Sequence, residues 1–362
     1  MIKFKDSIIF VDPDSYMDDK VNDYWDILNP KKVNQELKQT SLCLRVVNLL
    51  SDYKSNKYLK TAAFGCVYRN KRHIRFLEYL ILNDFENLKK IVKAKPSQFH
   101  KIIGEVFEII NISDLTELVN GKVKSASLGL VLLTKVFKYD TFRSSKACVE
   151  YYKELELEGK YCFYCNETEL SVISTEKPSE SNDFRSENGK LLFDLDHFYL
   201  KSNYPFLALS FYNLIPCCGL CNSRFRGTKK FNIHTHVNPY QDSFDENYIF
   251  EFDQFELVKA LQVGRSDLKK VEVKLKNHSI RINDKTAFDL KIMERYSQKV
   301  KHINNILDTI IKYSHVSEEH LCDLIYGVNE QHIPKSRMNI LNVGRAKFSL
   351  DFLDVAFPLL KD

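Results

Sequence analysis

Two Cys-x-x-Cys pairs constrain this chain more than any other feature: Cys162/Cys165 and Cys218/Cys221, with 52 residues between Cys165 and Cys218. Each pair presents two thiolates from one tight turn, and two such turns complete the tetrahedron that zinc prefers. The spacing therefore predicts one structural Zn²⁺, with every coordination position filled by protein and none left open for catalysis. Compact zinc ribbons separate their pairs by about 15–20 residues. The longer gap here means that the chain between the pairs carries structure of its own.

Nine cysteines are an odd count in a chain of 362 residues, and four of them sit in metal spacing. That pattern favours a metal in a reducing compartment over a disulfide framework. Cys43, Cys66, Cys148, Cys217 and Cys322 read as ordinary core cysteines. The length suits two or three domains, and 44% hydrophobic residues are enough to build their cores. The longest apolar stretch without charge lies near residues 128–133. It is far below the roughly 18–20 residues of a membrane span, so no membrane association is expected. The N-terminal MIKFKDSIIFVDPD shows no apolar signal region with a cleavage site, and the protein reads as cytoplasmic.

Residues 1–150 read as mainly helical. Apolar residues recur at three- and four-residue spacing over residues 74–92 and 99–110, with Phe76, Leu80, Leu88 and Val92 near one face. No motif there carries chemistry, so this region is expected to be a scaffold or partner-docking domain. Residues 171–190 are polar and predict a mobile surface loop between the cysteine pairs. Residues 248–257 (YIFEFDQFEL) alternate like a strand, with residues 271–275 (VEVKL) as partner. Ile292, Tyr296, Val300, Ile303, Ile306, Leu307 and Ile310 mark an amphipathic helix. The fold class expected is α+β. A helical region (1–150) precedes a zinc-stapled central domain (151–245), then a β-hairpin with helices (246–362).

The central segment FDLDHFYLKSNYPFLALSFYNLIPCCGLCNSRFRG resembles the HNH (ββα-metal) endonuclease superfamily. The matching residues are Asp196-His197, Lys201-Ser202, Asn213-Leu214, Cys218-x-x-Cys221-Asn222 and Gly227. The match is good over residues 160–240. Towards the C-terminus, ERYSQKV (294–300) and GRAKFSLDFL are similar to the tail of HNH nuclease subunits of Septu-type bacterial phage-defence systems. Those are encoded beside SMC-like ATPases. One departure is Leu200, where many relatives have proline in a loop.

The resemblance implies roles for particular residues. His197 is the general base that takes a proton from water, work suited to an imidazole that is neutral at cellular pH. Asp196 and Asn222 supply oxygens to a catalytic Mg²⁺ or Mn²⁺, a hard cation satisfied by few protein ligands. Asn213 holds the loop between the two strands and orients the histidine. Strand alternation puts Asp194 on the same face as Asp196. It stands open between a second metal neighbour and a solvated strand residue.

From residue 185 to 231 there are seven basic residues against three acidic ones, a local excess of +4. Lys201, Arg224, Arg226, Lys229 and Lys230 are the candidates for a track along a phosphate backbone. Nothing in them reads bases. His234 and His236 are read as non-ligands, because the cysteines and the Asp/Asn pair already account for the metals. The function expected is a metal-dependent DNA endonuclease, an anti-phage effector with an ATPase partner or a second copy of the chain. An RNase on the same fold and a non-catalytic zinc-stapled nucleic-acid-binding module are the alternatives.

Overall fold

The computed structural model describes residues 3–8, 12–58, 66–120, 122–173, 189–264, 272–281 and 283–360. The fold is α+β, with long helices around a few two-stranded sheets. Helix α1 (Pro13–Leu28) starts where Asp12 accepts the Asp14 and Ser15 backbone N–H groups and Pro13 fits the first turn. Helix α2 (Leu42–Lys54) is capped in the same way by Ser41. Helix α3 (Val67–Lys93) includes the expected residues 74–92 but is broken at residues 82–85, where Asn83, Asp84 and Phe85 take positive φ. The break leaves both halves facing inward: Phe76, Leu80, Leu88 and Val92 are all fully buried.

Helix α4 (Phe99–Ile109) is followed by a hairpin the periodicity did not announce, β1 (Thr116–Val119) with β2 (Lys122–Ser125). Its strands are four residues each, too short to give a readable alternation. The next helical turn, Ser127–Val131, crosses so close to residue 115 that a Cβ on Gly129 would fall 2.1 Å from the Leu115 carbonyl oxygen. Two short helices, α5 (Tyr139–Arg143) and α6 (Lys146–Glu154), lead into the central segment.

That segment is built on strands β3 (Asp194–His197) and β4 (Leu214–Cys217), antiparallel with Asp194 opposite Cys217 and His197 opposite Leu214. A π-helical stretch, Leu220–Arg226, follows directly. The first cysteine pair turns back through the Tyr161–Glu169 bridge. Of the polar stretch 171–190, residues 174–188 lie outside the described residues, while Val172–Ile173 pairs with Lys190–Leu191.

Strand β5 (Tyr248–Phe252) ends five residues before the alternation predicts. Asp253 accepts the Phe255 and Glu256 N–H groups and starts helix α7 (Gln254–Val263) instead. The partner strand is β6 (Val273–Asn277). The amphipathic segment from Ile292 runs as α8 (Ile292–Tyr296), a 3₁₀ step and α9 (Val300–Tyr313). After α10 (Glu318–Tyr326), helix α11 (Ala346–Ala356) closes the fold.

The three segments share one apolar core. Tyr24 of α1 meets Phe211 at 5.5 Å, Phe99 of α4 meets Tyr199 at 5.4 Å, and Phe4 stacks on Phe163 at 5.2 Å. Aromatic residues of the N-terminal region thus pack directly on the central segment. Among the described residues no helix is long and apolar enough to cross a membrane.

Candidate metal centres and active site

The four cysteines converge. All are buried, and their sulfurs lie within 4.8 Å of one another. Cys165 Sγ and Cys218 Sγ are 3.8 Å apart. A tetrahedron of sulfurs at the usual Zn–S length of 2.3 Å has edges of about 3.8 Å, so the donor set fits zinc. Backbone groups already point at the sulfurs: Cys218 N–H donates to Cys162 Sγ at 3.3 Å and Cys221 N–H to Cys218 Sγ at 3.5 Å. The four thiols share their protons unevenly: hydrogen bonds from Cys162, then Cys165 and Cys221, hold the Cys218 thiol well below the ordinary range, while burial pushes the Cys162 thiol well above it. A thiolate is the form that binds metal.

Residues far along the chain complete this cluster. Arg295 Nη1 donates to Cys221 Sγ at 3.2 Å and pairs with Glu167. Tyr296 donates its hydroxyl to the Cys165 carbonyl at 2.6 Å. Both belong to the ERYSQKV segment. Asn166 donates to the Ile340 and Val343 carbonyls, and Arg345 N–H returns a bond to the Asn166 carbonyl. Just ahead of that arginine, Gly344 lets the Tyr161 ring lie against the backbone: a Cβ there would meet it at 2.5 Å. The segment GRAKFSLDFL therefore clamps the first cysteine turn. Its Lys347, fully buried, bridges Asp245 at 2.8 Å and Asp351 at 2.9 Å.

The carboxylates divide differently from the sequence expectation. Asn222 Nδ2 donates to Asp194 Oδ2 at 3.0 Å, so the structure pairs Asn222 with Asp194, not with Asp196. Both members of that pair are part-exposed. Asp196 is buried, 2% exposed. Its Oδ1 lies 3.2 Å from Arg226 Nε and its Oδ2 accepts the Tyr164 hydroxyl at 2.9 Å. Burial pushes the Asp196 carboxyl upward, opposed chiefly by the Arg226 charge. The reason is register. Asp194 lies opposite Cys217, beside the start of the π-helical stretch and Asn222. Asp196 sits two residues, about 6.6 Å, farther along the strand and meets Arg226 near the end of that stretch.

His197 is 8% exposed. Its Nε2 lies 3.1 Å from the Ala208 carbonyl. A carbonyl only accepts, so Nε2 carries the proton and Nδ1 keeps a lone pair. Burial, then the nearby Lys201 charge, pushes the imidazole down to about 3, so it is neutral. Asn213, fully buried, closes the loop between the strands. Its Oδ1 accepts the Tyr199 N–H at 2.7 Å, and its Nδ2 donates to the Tyr199 and Leu207 carbonyls at 3.1 and 3.0 Å. The clamp ends one residue before Ala208, whose carbonyl holds the histidine.

The basic set does not share one setting. Arg226 is buried and cannot line a surface track: beside Asp196, it donates to the His197, Phe198 and Gly227 carbonyls. Lys201 pairs with Asp140 at 2.9 Å and Lys229 with Asp289 at 3.4 Å. Arg224 and Lys230 are exposed. His236 stacks on Phe231 and bonds Asp289 at 3.0 Å, while exposed His234 lies edge-on to His100. Neither belongs to the cysteine cluster.

Sequence reasoning missed Tyr139, Tyr164, Arg143 and Arg295. Only Tyr164 and Arg295 sat inside segments already singled out, and no spacing rule links either to its contact. Against known proteins, no family model, no curated protein and no solved structure matches this chain.

Proposed function

We propose that residues 160–240 form a metal-dependent phosphodiesterase centre that cleaves DNA. His197 is its general base, and Asp194 with Asn222 holds a divalent cation, Mg²⁺ or Mn²⁺. The observation that carries this reading is the His197 tautomer. Its Nε2–H is tied to Ala208, so Nδ1 is left with the lone pair a base needs. Asp194 and Asn222 touch one another and both reach solvent; each carries an oxygen for a hard cation once the Asn222 amide, which here turns its nitrogen to Asp194, rotates to present that oxygen. Bound there, the cation supplies Lewis-acid stabilisation of charge on the phosphate.

The cysteine cluster, read as structural zinc, fixes Cys221 and hence Asn222 against β3. Asp196 joins the first cysteine turn, through Tyr164, to Arg226. In this reading it is an internal anchor and not a ligand. A substrate phosphate beside His197 would raise its low pKa towards the working range, as any nearby anion does. Arg224 and Lys230 are the basic residues of the set left exposed to meet a phosphate backbone.

A non-catalytic nucleic-acid-binding module is the second reading. The burial of His197 and the pairing of Asp196 with Arg226 favour it. The test incubates supercoiled plasmid, linear duplex and single-stranded RNA with the protein, in Mg²⁺ or EDTA. Wild type is compared with His197→Ala and Asp194→Asn. DNA cleavage lost in both variants is the expected outcome. Binding without cleavage by wild type selects the module, and cleavage of RNA alone selects an RNase. The assignment to anti-phage defence with an ATPase partner rests on the resemblance alone. Co-purification with the product of an adjacent gene tests it.

A further inference from the structure

The first of the two short helices that lead into the central segment, α5, lies directly on the His197 strand. Tyr139 presents its ring to the imidazole edge-to-face, with centroids 4.3 Å apart and planes at 70°. That arrangement is favoured for aromatic pairs. The Tyr139 hydroxyl donates to the Leu195 carbonyl at 3.0 Å, two residues before the histidine on the same strand. The ring cannot swing away without breaking that bond. From the other side of the loop, Lys201 Nζ stands 4.6 Å over the Tyr139 ring and pairs with the neighbouring Asp140. Arg143, one turn on, donates to the Leu191 and Phe193 carbonyls. One five-residue helix from outside the resembling segment thus grips residues 191–197, β3 and the stretch that leads into it.

We infer that Tyr139 is a positioning residue for His197: it fixes the imidazole plane between its own ring and the Ala208 carbonyl, so that Nδ1 is presented and Nε2 is not. This rests on the nuclease reading for its catalytic consequence and on geometry for the rest. An imidazole held only by its Nε2 bond can rotate about its side-chain torsions and flip, which moves the lone pair by ångströms. Misplacement on that scale can cost about 10²-fold in rate. The residue touches no substrate, so its loss should appear in kcat with KM kept within about twofold.

Two readouts test this, and they fail separately. Long-range ¹H–¹⁵N NMR of histidine-labelled protein, assigned with His197→Gln, reports the His197 tautomer whether or not the protein cuts nucleic acid. Wild type and Tyr139→Phe should show a single Nε2–H form, and Tyr139→Ala an averaged or mixed signal. In the cleavage assay, Tyr139→Ala should lose about 10–10²-fold in kcat, with Tyr139→Phe recovering most of it. Tyr139→Leu fills the volume without an aromatic edge; it carries the same expectation and stands in if the alanine variant unfolds. An unchanged single tautomer in Tyr139→Ala or Tyr139→Leu overturns the inference. A mixed tautomer in a wild-type protein that cuts normally overturns it too. A wild type that cuts nothing but keeps the expected NMR pattern removes the nuclease reading and leaves the positioning role standing.

Discussion

Replacing Arg226 with Met would leave the Asp196 carboxylate buried beside Tyr164 without its ion partner. Arg226 is nearly the same length as Met along its aliphatic stem, so the change removes charge and donors more than packing. Breaking one partner of a buried pair costs about 3–5 kcal/mol, because the other charge stays uncompensated in a low dielectric. The His197 and Phe198 carbonyls lose their guanidinium donor as well, which places the cost towards the upper part of that range. A domain holds only about 5–15 kcal/mol in all, so the variant should be soluble only when cool and should unfold at much lower urea. The companion change Asp196→Leu removes the stranded charge. Made together, the two should be less destabilising than their sum, with a coupling energy of about 2–3 kcal/mol. Urea unfolding followed by far-UV circular dichroism, with a zinc-sensitive dye in parallel, measures all four corners of the cycle. Additivity to within about 0.5 kcal/mol would refute the idea that these two side chains form one buried unit.

Other outcomes follow from the same contacts. Cys218→Ser should purify with little zinc and reduced solubility, since a structural site contributes about 10–16 kcal/mol in isolated fingers; stoichiometric zinc by elemental analysis would count against the cluster as a metal site. Arg295→Leu keeps all four cysteines but removes the donor on Cys221, and competition with a chelator should show zinc held about 10–100-fold more weakly. Gly129→Ala should destabilise strongly, because its Cβ would lie 2.1 Å from a backbone oxygen that no side-chain rotation relieves; a melting temperature equal to wild type would contradict that packing. Burial, then Arg345, holds His302 down to about 4. The unfolded chain takes that proton below about 6.5 and the folded chain does not. Its stability contribution is therefore whole above about 6.5 and falls as pH drops towards 4. His302→Gln should flatten part of the loss seen in urea midpoints between about pH 7 and 5, and an unaltered slope would remove His302 as its source.

The cysteine spacing by itself determined that residues 162 and 221 meet, because four thiolates at two turns have one chemically sensible use. Alternation along residues 191–197 likewise put Asp194 and Asp196 on one face. It could not say which carboxylate Asn222 would reach. That depends on the Asp194–Cys217 register and on where the π-helical stretch starts, and both are set by pairing across the hairpin. The charge count marked Arg226 as basic but not as buried, since burial is a property of what packs over a residue. The break in α3 and the early end of β5 were hidden for a related reason: residues 82–85 and Asp253 act through backbone conformation and a cap, which apolar periodicity does not record. Only tertiary structure decided that Tyr139 lies on His197, 58 positions away in sequence, and that Arg295 reaches Cys221. Contacts at that separation follow from how helices fill one shared core, and no local pattern in the chain encodes them.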